Sequence, residues 1–185
     1  VVLCLSLGFT FFTQFFSVLL IQKFSYSEKD IGFLYGWVGI WLVFTQAVWV
    51  RKLSGRIASE VILMYTPLIL SLAVAALLLP HASIWFFAIN PVIAMAQGMT
   101  SPNMMTVVSR QAGASHQGEI LGINQSMNSI GQCIPPLLAG YLNTISGSLP
   151  ILTGAIFILL GWLIYIFLFK GQGPTNPIKN AEIHG

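Results

Sequence analysis

Four stretches of the sequence, residues 1–22, 31–50, 61–109 and 120–169, contain no Asp, Glu, Lys or Arg. No other feature limits the fold as tightly. A soluble domain carries charge on about a quarter of its residues, whereas 7% of these 185 are charged and 56% are hydrophobic. About 20 apolar residues cross the hydrocarbon core of a bilayer as a helix. The two shorter stretches therefore hold one span each, and the two longer ones hold two spans and a turn. The chain reads as an all-α integral membrane protein with six transmembrane helices. These are placed at about residues 1–21, 31–50, 59–79, 84–108, 118–142 and 151–169. Residues 171–185, rich in Gly, Pro and Asn, read as a disordered tail.

Several function classes fall away. The net charge of +3 comes from 8 basic residues scattered over the loops, which form no basic face, so no nucleic-acid partner is expected. Cys4 and Cys133 each sit among apolar residues and suggest packing rather than a disulfide or zinc site. The residues call for no cofactor and no metal. A membrane-embedded enzyme needs an acid–base pair, nucleophile or metal cluster at one depth, and no ionisable pair falls within the spans. The sequence begins at Val1 inside an apolar run, without a basic leader, and reads as the continuation of a longer chain.

Lys and Arg are retained on the cytoplasmic side of a membrane. Arg51, Lys52, Arg56, Arg110, Lys170 and Lys179 follow spans two, four and six, while only Lys23 and Lys29 lie on the opposite side. Both ends are thus expected in the cytoplasm. Ser27 with Asp30 three residues on is a capping-box pattern for the start of span two.

Amide side chains sort the helices. Gln14 lies in span one, Gln46 in span two, Asn90, Gln97 and Asn103 in span four, and Asn124, Gln125, Asn128 and Gln132 in span five; spans three and six have none. An amide in lipid needs a partner or a water-filled cavity. The helices therefore form two triplets whose third member can face lipid. That is the pattern of two inverted three-helix repeats, as found in transporters. Thr10, Thr13, Gln14 and Ser17 make one helical stripe, and Gln125, Asn128, Ser129 and Gln132 another. Such stripes either hydrogen-bond neighbouring helices or line a solvated path, and the number of amides favours the path. Gly32 with Gly36, and Gly118 with Gly122 and Ser126, read as sites of close helix approach.

Three motifs carry a resemblance. The basic loop Arg51-Lys52-Leu53-Ser54-Gly55-Arg56 is similar to a degenerate cytoplasmic loop signature of the major facilitator superfamily, without its acidic position. Gln117-Gly118 with Gly122 and Ser126 is similar to the start of the eleventh helix in drug:proton antiporters and tetracycline-efflux-like members. Gly131, Pro135, Pro136 and Gly140 resemble the antiporter signature G-x-x-x-G-P-x-x-G-G with two positions changed. The resemblance implies the C-terminal half of a twelve-helix fold in a bacterial inner membrane, completed by an N-terminal six-helix half. It implies proton-coupled efflux of a small amphiphilic or drug-like molecule by alternating access. Phe12, Gln14, Phe16, Asn90, Gln97 and Asn103 would line the substrate cavity. Gly131, Pro135, Pro136 and Gly140 would shape a bent helix at the interface between halves. No ionisable group falls at mid-membrane depth, so the coupling residue is expected in the other half. A sugar or metabolite uptake symporter and a non-transporting membrane scaffold are the alternatives.

Overall fold

The computed structural model describes residues 1–53, 56–79, 82–111 and 113–169. Gly55, Pro80, His81 and the tail expected to be disordered lie outside them. The described residues are helical throughout apart from short connections, with no strand. Six helices follow in order: α1 (Val2–Phe24), α2 (Glu28–Leu53), α3 (Ser59–Ala76), α4 (Ile84–Gln111), α5 (Gly113–Ile145) and α6 (Leu149–Phe169). Among the described residues α1, α2, α3 and α6 are long and apolar enough to cross a membrane by length and composition. The other two are longer but carry most of the amides, and each contains two prolines, Pro91 and Pro102 in α4 and Pro135 and Pro136 in α5.

The expected capping box is formed. Asp30 N–H donates to Ser27 Oγ at 3.3 Å, and Ser27 N–H donates to Asp30 Oδ2 at 3.1 Å, satisfying two amide groups that the first turn of α2 leaves open. Helix α2 then runs further than its apolar stretch. A π turn over Thr45–Val50 carries it to Leu53, so Arg51 and Lys52 are exposed in its last turn.

The packing order does not follow the chain. Helix α1 lies along α6 and α5, α4 lies along α3 and α2, and α3 meets α6. Exchange α1 with α4, α2 with α5 and α3 with α6, and this set of pairings returns to itself. Two three-helix units of opposite topology produce that pattern. Behind the bundle α3 and α6 turn apolar side chains outward, Tyr65, Ile69 and Leu72 on one and Leu152, Ile156, Leu160 and Ile164 on the other. The third helix of each triplet thus presents an amide-free face, as a lipid-facing helix must.

In lipid, burying apolar groups between helices gains nothing over leaving them in hydrocarbon, so association rests on close packing and interhelical hydrogen bonds. Both are present. A Cβ on Gly154 would lie 2.7 Å from Gly8 O, and one on Gly131 would lie 2.6 Å from Ser6 Oγ, so α1 meets α6 and α5 nearly backbone to backbone. Ser71 Oγ donates to Ala155 O at 2.9 Å, Trp162 Nε1 to Met64 O at 2.7 Å and Tyr165 O–H to Glu60 O at 3.1 Å, joining α3 to α6. The glycines read as approach sites behave otherwise. Among the described residues no atom of another helix lies within 4 Å of a Cβ built on Gly32, Gly36, Gly118 or Gly122, because these faces of α2 and α5 point away from the other described helices.

Replacing Gly154 by Val is expected to force α1 and α6 apart. Overpacking of this kind costs about 1–3 kcal/mol, which a thermal-unfolding measurement on the purified full-length protein will register as a midpoint several degrees lower.

Candidate functional site

A cavity of about 870 Å3 lies between α1, α2, α4 and α5. Helical periodicity builds its walls. On α1 the lining residues Val2, Leu5, Ser6, Phe9, Thr10, Thr13 and Gln14 recur every three or four positions and so share one face. Gln97, Thr100, Ser101, Met104 and Met105 do the same on α4, and Asn124, Gln125, Asn128 and Gln132 on α5. Helix α2 contributes Gln46 and Val50 from its π turn. The widened turn is held on one side by Thr45 Oγ1, which donates to Trp41 O at 2.7 Å. Close approach of α4 holds it on the other, where a Cβ on Gly98 would lie 3.1 Å from Leu42 and Thr45. All four walls come from the middle of their helices and the half nearer the α2–α3 and α4–α5 connections.

The opposite end of the bundle is filled by aromatic rings. Phe16 packs on Phe12 at 5.3 Å between centroids, and on Phe86 edge-on at 5.7 Å. Phe24 meets Phe86 at 4.9 Å, and Tyr35 meets Phe16 at 6.4 Å. Tyr35 O–H also donates to Thr13 O at 3.2 Å and shares a 3.0 Å bond with Ser17 Oγ. The polar space thus lies toward one end of the bundle and the aromatic packing toward the other.

Seven lining residues are amides: Gln14, Gln46, Gln97, Asn124, Gln125, Asn128 and Gln132. Interhelical glue would show as side-chain bonds from one helix to the next. Among the described residues only Asn124 makes a side-chain contact, Nδ2 to Met105 Sδ at 3.5 Å; the other six amide side chains bond to no protein group. The main tie between these walls, Ser6 Oγ to Asn128 O at 3.1 Å, uses a hydroxyl and a backbone carbonyl instead. The amides are thus left to water or to a ligand. No lining residue is ionisable, and no group of His, Cys, Asp and Glu among the described residues could hold a metal. The wall can orient a molecule through neutral hydrogen bonds and through the soft surfaces of Phe9, Met104 and Met105. It cannot neutralise a charge.

The structure brings two of the six expected wall residues, Gln14 and Gln97, to this cavity. Phe12 and Phe16 point away from it, since two helical residues from Gln14 means a rotation of about 200°, and they fill the aromatic end. Asn90 is 1% exposed with Nδ2 donating to Phe86 O at 2.9 Å. Asn103 Nδ2 donates to Met99 O at 2.7 Å. Both amides are spent on their own helix. Sequence reasoning missed Gln46, Asn124, Gln125, Asn128 and Gln132 as wall residues, although the polar stripes on spans one and five marked most of them. Gly131 and Pro135 are buried, Gly131 against Ser6, whereas Pro136 and Gly140 are exposed. Helix α5 continues through both prolines. Arg51, Lys52 and Arg56 are exposed; Arg56 N–H donates to Leu53 O at 2.9 Å. An ion pair of 4.0 Å between Arg110 and Glu60 joins the end of α4 to the start of α3.

Residues 1–184 match the Major Facilitator Superfamily. Among individual relatives, Quinolone resistance protein NorA of Staphylococcus aureus strain MSSA476 is 30% identical over 169 residues, which cover 91% of this chain and 43% of NorA. Multidrug resistance protein 1 of Bacillus subtilis strain 168 is 25% identical over 162 residues, 87% of this chain and 41% of the relative. Mouse Major facilitator superfamily domain-containing protein 10 is 26% identical over 168 residues, 88% and 35% respectively. The chain thus spans less than half the length of these relatives.

Solvent access separates the wall from the packed end. In full-length protein without Cys4 and Cys133, single cysteines at Gln14, Gln97 and Asn128 are expected to react with a water-soluble maleimide in membranes. Cysteines at Phe12, Phe16 and Asn90 are expected to stay unlabelled. Equal labelling rates at Gln14 and Phe12 would contradict the cavity.

Proposed function

The chain belongs to the Major Facilitator Superfamily, and on that premise we propose that it is the second six-helix half of a secondary active transporter exporting small, amphiphilic, drug-like molecules. The observation that carries this reading is the wall of seven amides around one cavity, six of them with no protein partner among the described residues, while aromatic packing fills the other end of the bundle. Alternating access needs such a site near mid-membrane, reached from one side at a time. The names of two relatives, a quinolone resistance protein and a multidrug resistance protein, favour export and a quinolone-like cargo.

The basic residues after α2 and α4 favour a cytoplasmic position for the cavity's end of the bundle, with the chain in a bacterial plasma membrane and both its ends inside. In that orientation the cavity faces the cytoplasm and loads from it. Protons are the proposed counter-ion. Because no ionisable side chain lines this wall, the coupling group belongs to the other six-helix half, which would also close the cavity on the side of Gln14, Gln46 and Gln132.

A second reading, uptake of a polar metabolite, draws support from the same wall, which has one aromatic ring, Phe9, among its amides and hydroxyls. Direction of transport separates the two. A buried hydrogen bond lost to a substrate costs about 1–3 kcal/mol. Gln14→Leu and Gln97→Leu in the full-length protein are therefore each expected to slow export of a fluorescent quinolone from loaded cells about fivefold or more. Unchanged export in both variants would remove these side chains from the pathway, and net accumulation would favour uptake.

A further inference from the structure

We propose that Asn124 is the specificity-determining acceptor of the cavity, and that it selects cargo bringing a neutral hydroxyl or amide N–H to the α4–α5 wall. This inference rests on the transport reading above and adds the chemistry of the recognised group.

Asn124 differs from the other wall amides in one respect. Gln14, Gln46, Gln125 and Gln132 are exposed and Gln97 and Asn128 half-buried, so water can reach them, whereas Asn124 is 9% exposed. Its Nδ2 reaches a thioether sulfur, a weak acceptor, at 3.5 Å, and its Oδ1 has no partner among the described residues. An amide oxygen buried without a donor carries its full desolvation cost. Each such orphan in a folded protein calls for an explanation. Since the residue is covered within this half and also lines the cavity, a donor can reach it only through the cavity. The χ2 torsion of an Asn side chain is broad, so the oxygen can turn to meet that donor while the weak contact to Met105 is given up.

The surroundings define the donor. No ionisable residue lines the cavity, so a cationic donor would find no counter-charge on this side. A neutral donor needs none. A site built around a hydrogen bond rejects an analogue that lacks it more strongly than an apolar pocket rejects an added or missing methylene, because the analogue leaves the buried partner unpaired.

The test uses the full-length protein in everted membrane vesicles and two fluorescent quinolones identical except that one carries a free hydroxyl on its ring substituent and the other the methyl ether. Wild type is expected to move the hydroxyl compound about tenfold faster at limiting concentration, and Asn124→Leu to move both at the slower rate. Asn124→Ala serves as the second variant should the leucine variant fail to insert. A preference retained in a folded variant overturns the proposal, and so does equal transport of the two compounds by wild type, a result that needs no variant. If wild type moves neither quinolone, the export reading fails and takes this inference with it.

Discussion

Inside a bilayer no water is present to complete a backbone hydrogen bond, and each unmet carbonyl or amide costs several kcal/mol. The rest of the architecture follows from how the chain meets that demand. Helices satisfy most of it alone, and the prolines are where they cannot. Pro91 has no N–H to return to the carbonyl of Phe87. Trp37 Nε1 on α2 donates to that carbonyl at 3.1 Å. The bond that repairs α4 is thus the same bond that ties α2 to it. Hydroxyls add further bonds: Thr106 Oγ1 donates to Pro102 O at 2.9 Å, and Thr100 Oγ1 donates to Ala96 O at 2.7 Å while it pairs with the Thr66 hydroxyl of α3 at 2.9 Å.

That demand divides the polar side chains into two populations. Asn90 and Asn103 turn back onto their own helix at i−4 and are consumed there. The wall amides stay uncommitted. A membrane protein whose amides were all consumed would be a rigid bundle. This one concentrates its free hydrogen-bonding groups around one space and spends hydroxyls and indole N–H groups on structure, as at Ser6, Ser71, Trp37 and Trp162.

Much of this was legible in the residues. The uncharged stretches gave six helices, the amide-free spans three and six lie at the back of the bundle, and the Ser27–Asp30 box forms. The stripes at Thr10, Thr13 and Gln14 and at Gln125, Asn128 and Gln132 marked two walls that face each other. What stayed hidden depends on depth and on rotation relative to other helices. Asn90 shares a face of α4 with Gln97 seven residues on, yet it lies at the level of Phe86, where the bundle is closed. Gly36 and Gly154 are both glycines in apolar helices, but only the latter meets another backbone. Helix periodicity fixes which residues share a face and carries no information about what that face meets.

The interleaved pairing of the two triplets sets a schedule for biogenesis. Helix α1 is the first of the six to be made, and the two helices it packs along most closely, α5 and α6, are the last. Its bond from Ser6 reaches Asn128, 122 positions away. A helix delivered to the bilayer in this order waits in lipid, with Thr10, Gln14 and the exposed edge of Ser6 unsheltered, until the final two spans arrive. Assembly of the bundle is therefore governed by its C-terminal end. A ribosome that stops before α6 leaves α1 and α3 each without a helix they pack along, and quality-control proteases that survey the membrane for exposed polar groups would find them on α1 first.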